Sequence, residues 1–251
     1  MELEPLPLLE AQRSIYALPP GLGRFQTYLN VMRQGTDDIV LPLSQMNPMG
    51  KGHVAELAHQ LIAFAAEDVV AGVCAELRPR LVRLDADLQV GLVLIDDAAG
   101  GWTNRFLTDA TERFKNEADV KRGWSVVFVW TGETWDADKV KLETRRAVYR
   151  SLYKLRHGLP KTLRQMMRQE GLAAYFASAE TQLSQEDLRR SRKIISAQLE
   201  TKHYPTAFAC FYGDAGALAA GYPALKLPEM AGLEVALVDT FEDRAEPEKY
   251  L

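Results

Sequence analysis

Short runs of almost uninterrupted apolar residues most constrain how this chain folds. Four strong runs occupy residues 88–95, 124–130, 206–212 and 233–238, and a weaker fifth occupies 38–43. The fifth is weaker because Pro42 inside it favours an edge strand or a strand end. Runs that are apolar at successive positions are typical of strands buried on both faces of a parallel sheet. Their length and their β-branched or aromatic residues favour strands over core helices.

Amphipathic patterns lie between these runs and predict helices. They cover about residues 52–78, 103–117, 136–157, 160–178 and 184–203. Strands that alternate with helices of this length predict βαβ units with right-handed crossovers. Three helical segments follow one another between the second and third strong runs, which is too much for one crossover. We therefore expect a single α/β domain over 1–251, with a mostly parallel open sheet of about five strands, helices on both faces and a helical insert at about 136–203.

Composition narrows the class of protein. The hydrophobic fraction of 47% and the charged fraction of 25% are ordinary for a folded globular chain. Cys74 and Cys210 each lie inside an apolar run, which favours buried free thiols and a reducing compartment. No apolar run reaches the roughly 18 residues of a membrane span, and the first residues lack a secretory signal pattern. We expect a soluble, cytoplasmic protein without a membrane segment.

The loop after the run 88–95 is the first candidate site. In a parallel sheet, ligands bind beyond the carboxyl ends of the strands. We expect acid–base work from Asp96 or Asp97. The predicted ligand-binding residues of this loop are Gly100, Gly101, Trp102, Asn104 and Arg105. The alternative is an ordinary connecting loop without a binding role, in which the glycines form a turn and Asn104 caps a helix.

A second glycine-bearing turn opens the helix near residue 52. Its predicted ligand-binding residues are Gly50, Lys51, Gly52 and His53. Glycine and lysine at a helix N-terminus suit an anion, but the spacing is not that of a nucleotide-binding P-loop. The alternative is a plain strand-to-helix turn. If the strands before the two turns are neighbours, both turns lie at one edge of the sheet.

Residues 139–168 are strongly basic, with ten Lys or Arg residues and one acid, Glu143. On a helical wheel, one stripe contains Lys139, Arg146, Arg150, Lys154 and His157. Such a stripe suits a phosphate backbone, an acidic partner surface or simply solvent. A non-enzymatic nucleic-acid or protein-interaction module is therefore the alternative function, and a salt-sensitive oligomer is a third interpretation. A sequence pI near 5.7 means that the whole chain is acidic, which makes nucleic-acid binding the less favoured of these functions.

The leading interpretation is binding of a small anionic ligand at the carboxyl edge of the sheet. Acid–base catalysis there is compatible with the residues, and the sequence leaves open whether the protein is an enzyme. Two Glu-x-x-His spacings, beginning at Glu56 and Glu200, match di-iron ligand spacing. Glu56 and His59 fall on the helix face opposite the apolar residues, so we expect no metal site. Whether the protein uses a cofactor is unknown from the sequence.

Overall fold

The computed structural model describes residues 1–81, 84–98 and 103–251. These form two compact units. The first contains Met1–Thr103 and Ala118–Val148, and the second contains Asn104–Glu117 and Tyr149–Leu251. The α/β class and the parallel sheet predicted from the sequence are confirmed, but the described sheet has three strands instead of about five. The single-domain organisation stays a prediction.

The three strands lie within the first 130 residues, and helices occur along the whole described chain. In order they are β1 (Glu2–Pro5), α1 (Leu9–Tyr16), α2 (Leu22–Arg33), α3 (Gly52–Ala63), α4 (Ala66–Arg80), β2 (Asp87–Ile95), α5 (Arg105–Phe114), α6 (Ala118–Lys121), β3 (Trp124–Trp130), α7 (Ala137–His157), α8 (Leu163–Phe176), α9 (Gln185–Ser196), α10 (Tyr204–Ala219) and α11 (Ala231–Glu242). A short 3-10 helix, Pro247–Tyr250, follows α11. The boundary between the units falls within α7.

The sheet of the first unit has the order β1-β2-β3, and all pairs are parallel. β2 is buried at every position from Val90 to Ile95, and β3 is buried throughout. Burial at successive positions means that both faces of these strands are covered. The two apolar runs at 88–95 and 124–130 are therefore confirmed as strands. β1 was not predicted because it is short and only Leu3 in it is buried.

The other three predicted strands are wrong. Residues 206–212 lie in α10 and 233–238 lie in α11, while 38–43 form no strand. A helix that is buried all round has the same run of apolar residues as a buried strand. Both helices are buried because glycines allow close packing: a Cβ at Gly232 would lie 2.6 Å from Phe211 Cα, and one at Gly171 would lie 2.5 Å from Ala236 O.

The second unit is helical in its described residues. α7, α8 and α9 occupy the segment where consecutive helices were predicted, and they are followed by two more helices. The core of this unit includes Phe114, Phe208, Phe211 and Tyr212, whose rings contact one another. Aromatic rings bury large apolar areas and favour such edge or tilted contacts. Aromatic packing between α5 and α10 thus stabilises this unit.

Both cysteines are free and buried, and burial raises the pKa of each thiol to about 11. No single helix in the described part of the chain is long and apolar enough to cross a membrane. α3 and α4 reach that length and composition only together, across a 56° bend.

Gln12 of α1 completes the hydrogen bonding of β2. β1 pairs with β2 only as far as Val90, so the backbone beyond it lacks a neighbouring strand on that side. The fully buried side chain of Gln12 accepts the N–H of Leu94 at 2.8 Å and donates to the carbonyl of Leu92 at 2.8 Å. One amide side chain therefore takes the place of the missing strand, as buried backbone groups require.

Replacing Gln12 with Leu should destabilise the protein by about 2–4 kcal/mol, because two buried backbone groups lose their partners. Urea unfolding followed by circular dichroism measures this change. Gln60→Leu is the matched control, since Gln60 is exposed on α3. Equal stabilities of the two variants would show that Gln12 does not have this role.

Candidate functional site

The two predicted turns meet in the first unit, at His53 and Asp96. His53 is the second residue of α3, and Asp96 follows directly after β2. The Nε2 atom of His53 lies 2.7 Å from Oδ1 of Asp96. The side chain of Asp96 is 3% exposed and that of His53 is 28% exposed. A buried carboxylate thus binds an imidazole that solvent reaches.

The carboxyl end of β3 supports both aspartates. Ile95 of β2 is the register partner of Trp130, so Thr131 and Gly132 lie beside Asp96 and Asp97. Oδ1 of Asp97 accepts the backbone N–H of Gly132 at 2.7 Å. Oγ1 of Thr131 lies 3.3 Å from Oδ1 of Asp96 and 3.2 Å from Oδ1 of Asp97. The parallel pairing therefore fixes where the two carboxylates lie.

Arg24 and Tyr16 bind the turn that carries His53. Arg24, 6% exposed, donates from Nη1 to the carbonyl of Gly50 at 2.8 Å, and the Tyr16 hydroxyl donates to the carbonyl of Asn47 at 2.9 Å. A Cβ at Gly50 would lie 2.8 Å from Cγ2 of Val54, so glycine permits this close packing. The strand expected at 38–43 before this turn is not formed, and these contacts position the turn in its place.

The charge of Asp96 also affects the hydroxyl of Tyr16. Burial raises the pKa of its hydroxyl well above the usual value, and the negative charge of Asp96 raises it further. Tyr16 therefore stays protonated, and its hydroxyl remains a hydrogen-bond donor to the turn.

One ring nitrogen of His53 remains available. A carboxylate only accepts hydrogen bonds, so in the neutral imidazole Nε2 carries the hydrogen towards Asp96 and Nδ1 carries the lone pair. Within the described residues, Nδ1 has no hydrogen-bond partner, and neither do the backbone N–H groups of Gly52 and His53 at the start of α3. Lys51 precedes them as an exposed N-cap residue. Donors and one basic nitrogen thus lie within two residues of each other.

The structure describes only some of the remaining predicted residues of the loop. Gly100, Gly101 and Trp102 lie outside the described residues. Asn104 and Arg105 belong to the second unit, where Arg105 begins α5. Asn104 caps that helix: its Oδ1 accepts the N–H of Leu107 at 3.1 Å, and its Nδ2 donates to the carbonyl of Ala219 at 2.8 Å. The capping alternative for Asn104 is confirmed.

Sequence reasoning missed Tyr16, Arg24 and Thr131. Thr131 had a usable signal, because it directly follows a strongly apolar run whose carboxyl end was expected at the same edge. Tyr16 and Arg24 had none, since they act through contacts with carbonyl groups of a distant turn.

Asp96→Asn should change the tautomer of His53. A carboxylate accepts only from an N–H, whereas an amide can accept from Nε2–H or donate to Nε2. We expect the Nε2–H tautomer to predominate in the wild type and both tautomers to be populated in the variant, as read from the imidazole 15N shifts. His59, exposed on the same helix, is the internal control. Identical His53 spectra in both proteins would contradict the contact.

Two cations of the predicted basic stripe are buried. Arg150 and Lys154 are 7% and 3% exposed, so they do not belong to a surface that could follow a phosphate backbone. Lys139 pairs with Glu133 at 2.5 Å, and Arg146 pairs with Glu143 at 2.6 Å. His157 remains exposed at the end of α7. The amphipathic pattern failed here because the helix packs its basic face against acids of its own chain.

Arg150 belongs to a buried ion network in the second unit. The carboxylate of Glu170 accepts from Arg150 Nε at 2.7 Å and Nη2 at 2.9 Å, and also from Arg113. Arg113 in turn pairs with Asp109, which accepts the Tyr212 hydroxyl at 2.9 Å. Burial alone would raise the pKa of Glu170, but attraction to the two guanidinium groups outweighs it and holds the pKa well below its ordinary value of 4.5.

The lowered pKa of Glu170 makes stability depend on acid. Its contribution is complete above pH 4.5, where the unfolded side chain is also ionised, and it is lost as the pH falls towards the lowered folded pKa. Urea unfolding between pH 7 and pH 2 should show a smaller loss of stability for Glu170→Gln than for the wild type. At pH 7 this variant should be less stable by about 3–5 kcal/mol, because two buried cations lose their carboxylate.

The control for this experiment is Glu200→Gln. Glu200 forms an exposed pair with Arg164, and such pairs contribute little to stability. Its stability should follow the wild type at every pH. An unchanged acid dependence in Glu170→Gln would show that Glu170 is not the group responsible.

No group of three or more His, Cys, Asp or Glu side chains that could hold a metal ion occurs among the described residues. The site of the first unit consists of the imidazole of His53, the carboxylates of Asp96 and Asp97, and backbone donors. Comparison with protein-family models, curated proteins and solved structures finds no match for this chain.

Proposed function

We propose that the first unit binds a small anionic ligand at the carboxyl edge of its sheet, where His53 acts as an acid–base group and Asp96 orients it. The contact of 2.7 Å between His53 Nε2 and Asp96 Oδ1 carries this proposal. An imidazole bound on one side by a buried carboxylate and open on the other is a common arrangement for proton transfer. The partial exposure of His53 allows a ligand to reach it.

The proposed roles differ from those expected from the sequence. Asp96 and Asp97 were the predicted acid–base residues, but both carboxylates accept hydrogen bonds from the protein. Asp96 is also almost fully buried, so direct contact with a ligand is unfavourable. His53, predicted only to bind ligand, is 28% exposed, and its Nδ1 has no hydrogen-bond partner among the described residues. Asp96 is therefore assigned as a positioning residue.

The anionic character of the ligand follows from the start of α3. The N–H groups of Gly52 and His53 point out of the first helical turn, where the helix dipole favours negative charge. Lys51 adds a cation next to them. A phosphate or carboxylate there would place the rest of a small molecule beside the imidazole. The proposal needs neither Arg105 nor the residues outside the described ranges.

The chemistry available is reversible proton transfer. Nδ1 of His53 would take a proton from the bound ligand, and the carboxylate of Asp96 would stabilise the resulting imidazolium. The same nitrogen would then return the proton to another atom of the ligand. No redox change is involved. The two unpaired thiols favour a reducing setting, and we propose a cytoplasmic location.

The nucleic-acid alternative is not proposed, because no observation favours it. Its basic stripe loses Arg150 and Lys154 to burial and has two further cations in ion pairs.

A thermal-shift screen tests the proposal, with the full chain against small phosphates and carboxylates at constant ionic strength. Hits are then measured by calorimetry. His53→Gln should weaken binding about tenfold or more, since a hydrogen bond to a charged group contributes about 1.5–3 kcal/mol. A smaller loss is expected for Asp96→Asn. Incubation of each hit in D2O, followed by proton NMR, detects exchange of a carbon-bound proton that depends on His53.

His59→Gln is the matched control for this experiment, because His59 lies on the same helix and is exposed. It should bind every hit as the wild type does. If His53→Gln also binds all hits with wild-type affinity, the assignment of this site is wrong.

A further inference from the structure

We propose that the second unit contains a separate binding site for a small phosphate monoester, in the cavity at the junction of α7 and α8. This α7–α8 cavity has a volume of about 350 Å3. Its walls include Tyr153, His157, Leu159, Pro160, Lys161 and Arg168. Small-molecule pockets commonly have volumes of about 300–1,000 Å3. The proposal is independent of the site at His53.

Charge is the first argument for an anion in the α7–α8 cavity. Lys161 and Arg168 line it, and its described walls include no Asp or Glu. The cavity wall is therefore positively charged, although the net charge of the chain is −4. Within the described residues, the ammonium of Lys161 has no partner, and the guanidinium of Arg168 has only a ring contact, 4.8 Å from the centroid of Tyr250.

These two cations differ from the others of the basic segment. Arg150 is neutralised by Glu170, and Arg164 pairs with Glu200. Lys161 and Arg168 therefore stand out as cations that share a cavity and have no acid partner among the described residues. Two such groups attract a doubly negative oxyanion more strongly than a singly charged carboxylate.

The hydroxyl of Tyr153 is the second, independent argument. Tyr153 is 8% exposed and lines the cavity, yet its hydroxyl has no hydrogen-bond partner in the described structure. The neighbouring Tyr149 shows the usual outcome, because its hydroxyl donates to the carbonyl of Pro247 at 2.9 Å. The Tyr153 hydroxyl is therefore available to donate to an oxyanion that enters the cavity.

The Tyr153 hydroxyl and the Arg168 guanidinium belong to residues that line the same cavity. Burial raises the pKa of Tyr153, while the charge of Arg168 acts to lower it. The hydroxyl therefore lies within the electrostatic reach of the guanidinium. Both groups line the cavity, so each can donate a hydrogen bond to a phosphate bound there.

The cavity is built on a fixed loop. Gly158 ends α7 with a positive φ of 72°, and its N–H donates to Lys154 O at 2.8 Å. The N–H of Lys161 donates to Oε1 of Gln165 at 2.7 Å, and Thr162 caps α8. A loop that is ordered before binding costs less entropy when a ligand enters.

The shape of the cavity favours an ester over the bare ion. A phosphate group fills only part of about 350 Å3. Leu159, Pro160 and the ring of Tyr153 provide apolar walls, and the ring of His157 lies 4.3 Å from that of Tyr153. An organic group attached to the phosphate would cover these walls and gain from their burial.

NMR of the imidazole groups tests this site and separates it from the first. The chain has only four histidines, and each one reports on a different place. Phenyl phosphate is titrated into the full 15N-labelled chain at constant ionic strength. The signals of His157 should shift and saturate, whereas those of the exposed His59 and His203 should not. A saturable shift of His53 alone would support the first site and overturn this one.

Three variants and a control make the test specific. Lys161→Met and Arg168→Met should each weaken binding of phenyl phosphate about tenfold, and Tyr153→Phe should weaken it about threefold. Lys193→Met removes an exposed lysine of α9 and should leave the affinity unchanged. Equal weakening by Lys161→Met and Lys193→Met would reveal general charge attraction and overturn the site.

Two further probes define the ligand class. Inorganic phosphate should bind about tenfold more weakly than phenyl phosphate, because it does not cover the apolar walls. Benzoate should also bind more weakly, because it has a single negative charge. Equal affinity for phenyl phosphate and inorganic phosphate would overturn the ester, and equal affinity for phenyl phosphate and benzoate would overturn the preference for phosphate.

Discussion

The burial of β2 on both faces is the constraint on which the first unit depends. A strand without access to water must pair all its backbone groups, yet β1 ends beside Val90. The side chain of Gln12 pairs the groups beyond that point, and β3 pairs the other side of β2 as far as Ile95. Because these hydrogen bonds continue to the end of the strand, the carboxylate that follows it has a defined position.

That position allows Asp96 to bind the imidazole of His53. Parallel pairing puts the ends of β2 and β3 at one edge, where Thr131 and Gly132 support the two aspartates. Arg24 and Tyr16 bind the turn opposite, so that His53 meets Asp96. The site therefore depends on three sets of contacts: the pairing of β2 with β3, the contacts of the residues after β3 with the aspartates, and the contacts of α1 and α2 with the turn. Removing any one of them should loosen the imidazole without removing it.

The basic segment serves two different purposes in the second unit. Arg150 and Lys154 are buried, and they balance the charges of Glu170 and Glu112. Such a network is costly to break but adds little net stability when it is complete. Lys161 and Arg168 have no acid partner in the part of the chain that the structure describes, and they line a cavity instead. Counting charges along a sequence cannot separate these cases, because the acids come from α5 and α8.

The sequence by itself determined the α/β class, the strands at 88–95 and 124–130, and the candidate turns of His53 and Asp96. Local signals sufficed for these two strands, since both runs are short and rich in Val or Ile, and glycine permits tight turns. Tertiary structure alone decided that residues 206–212 and 233–238 are helices, because a helix buried on every side and a buried strand share one apolar pattern. It also decided which partners meet: His53 reaches Asp96 through Arg24 and Tyr16, and long-range contacts of this kind leave no periodicity in a sequence.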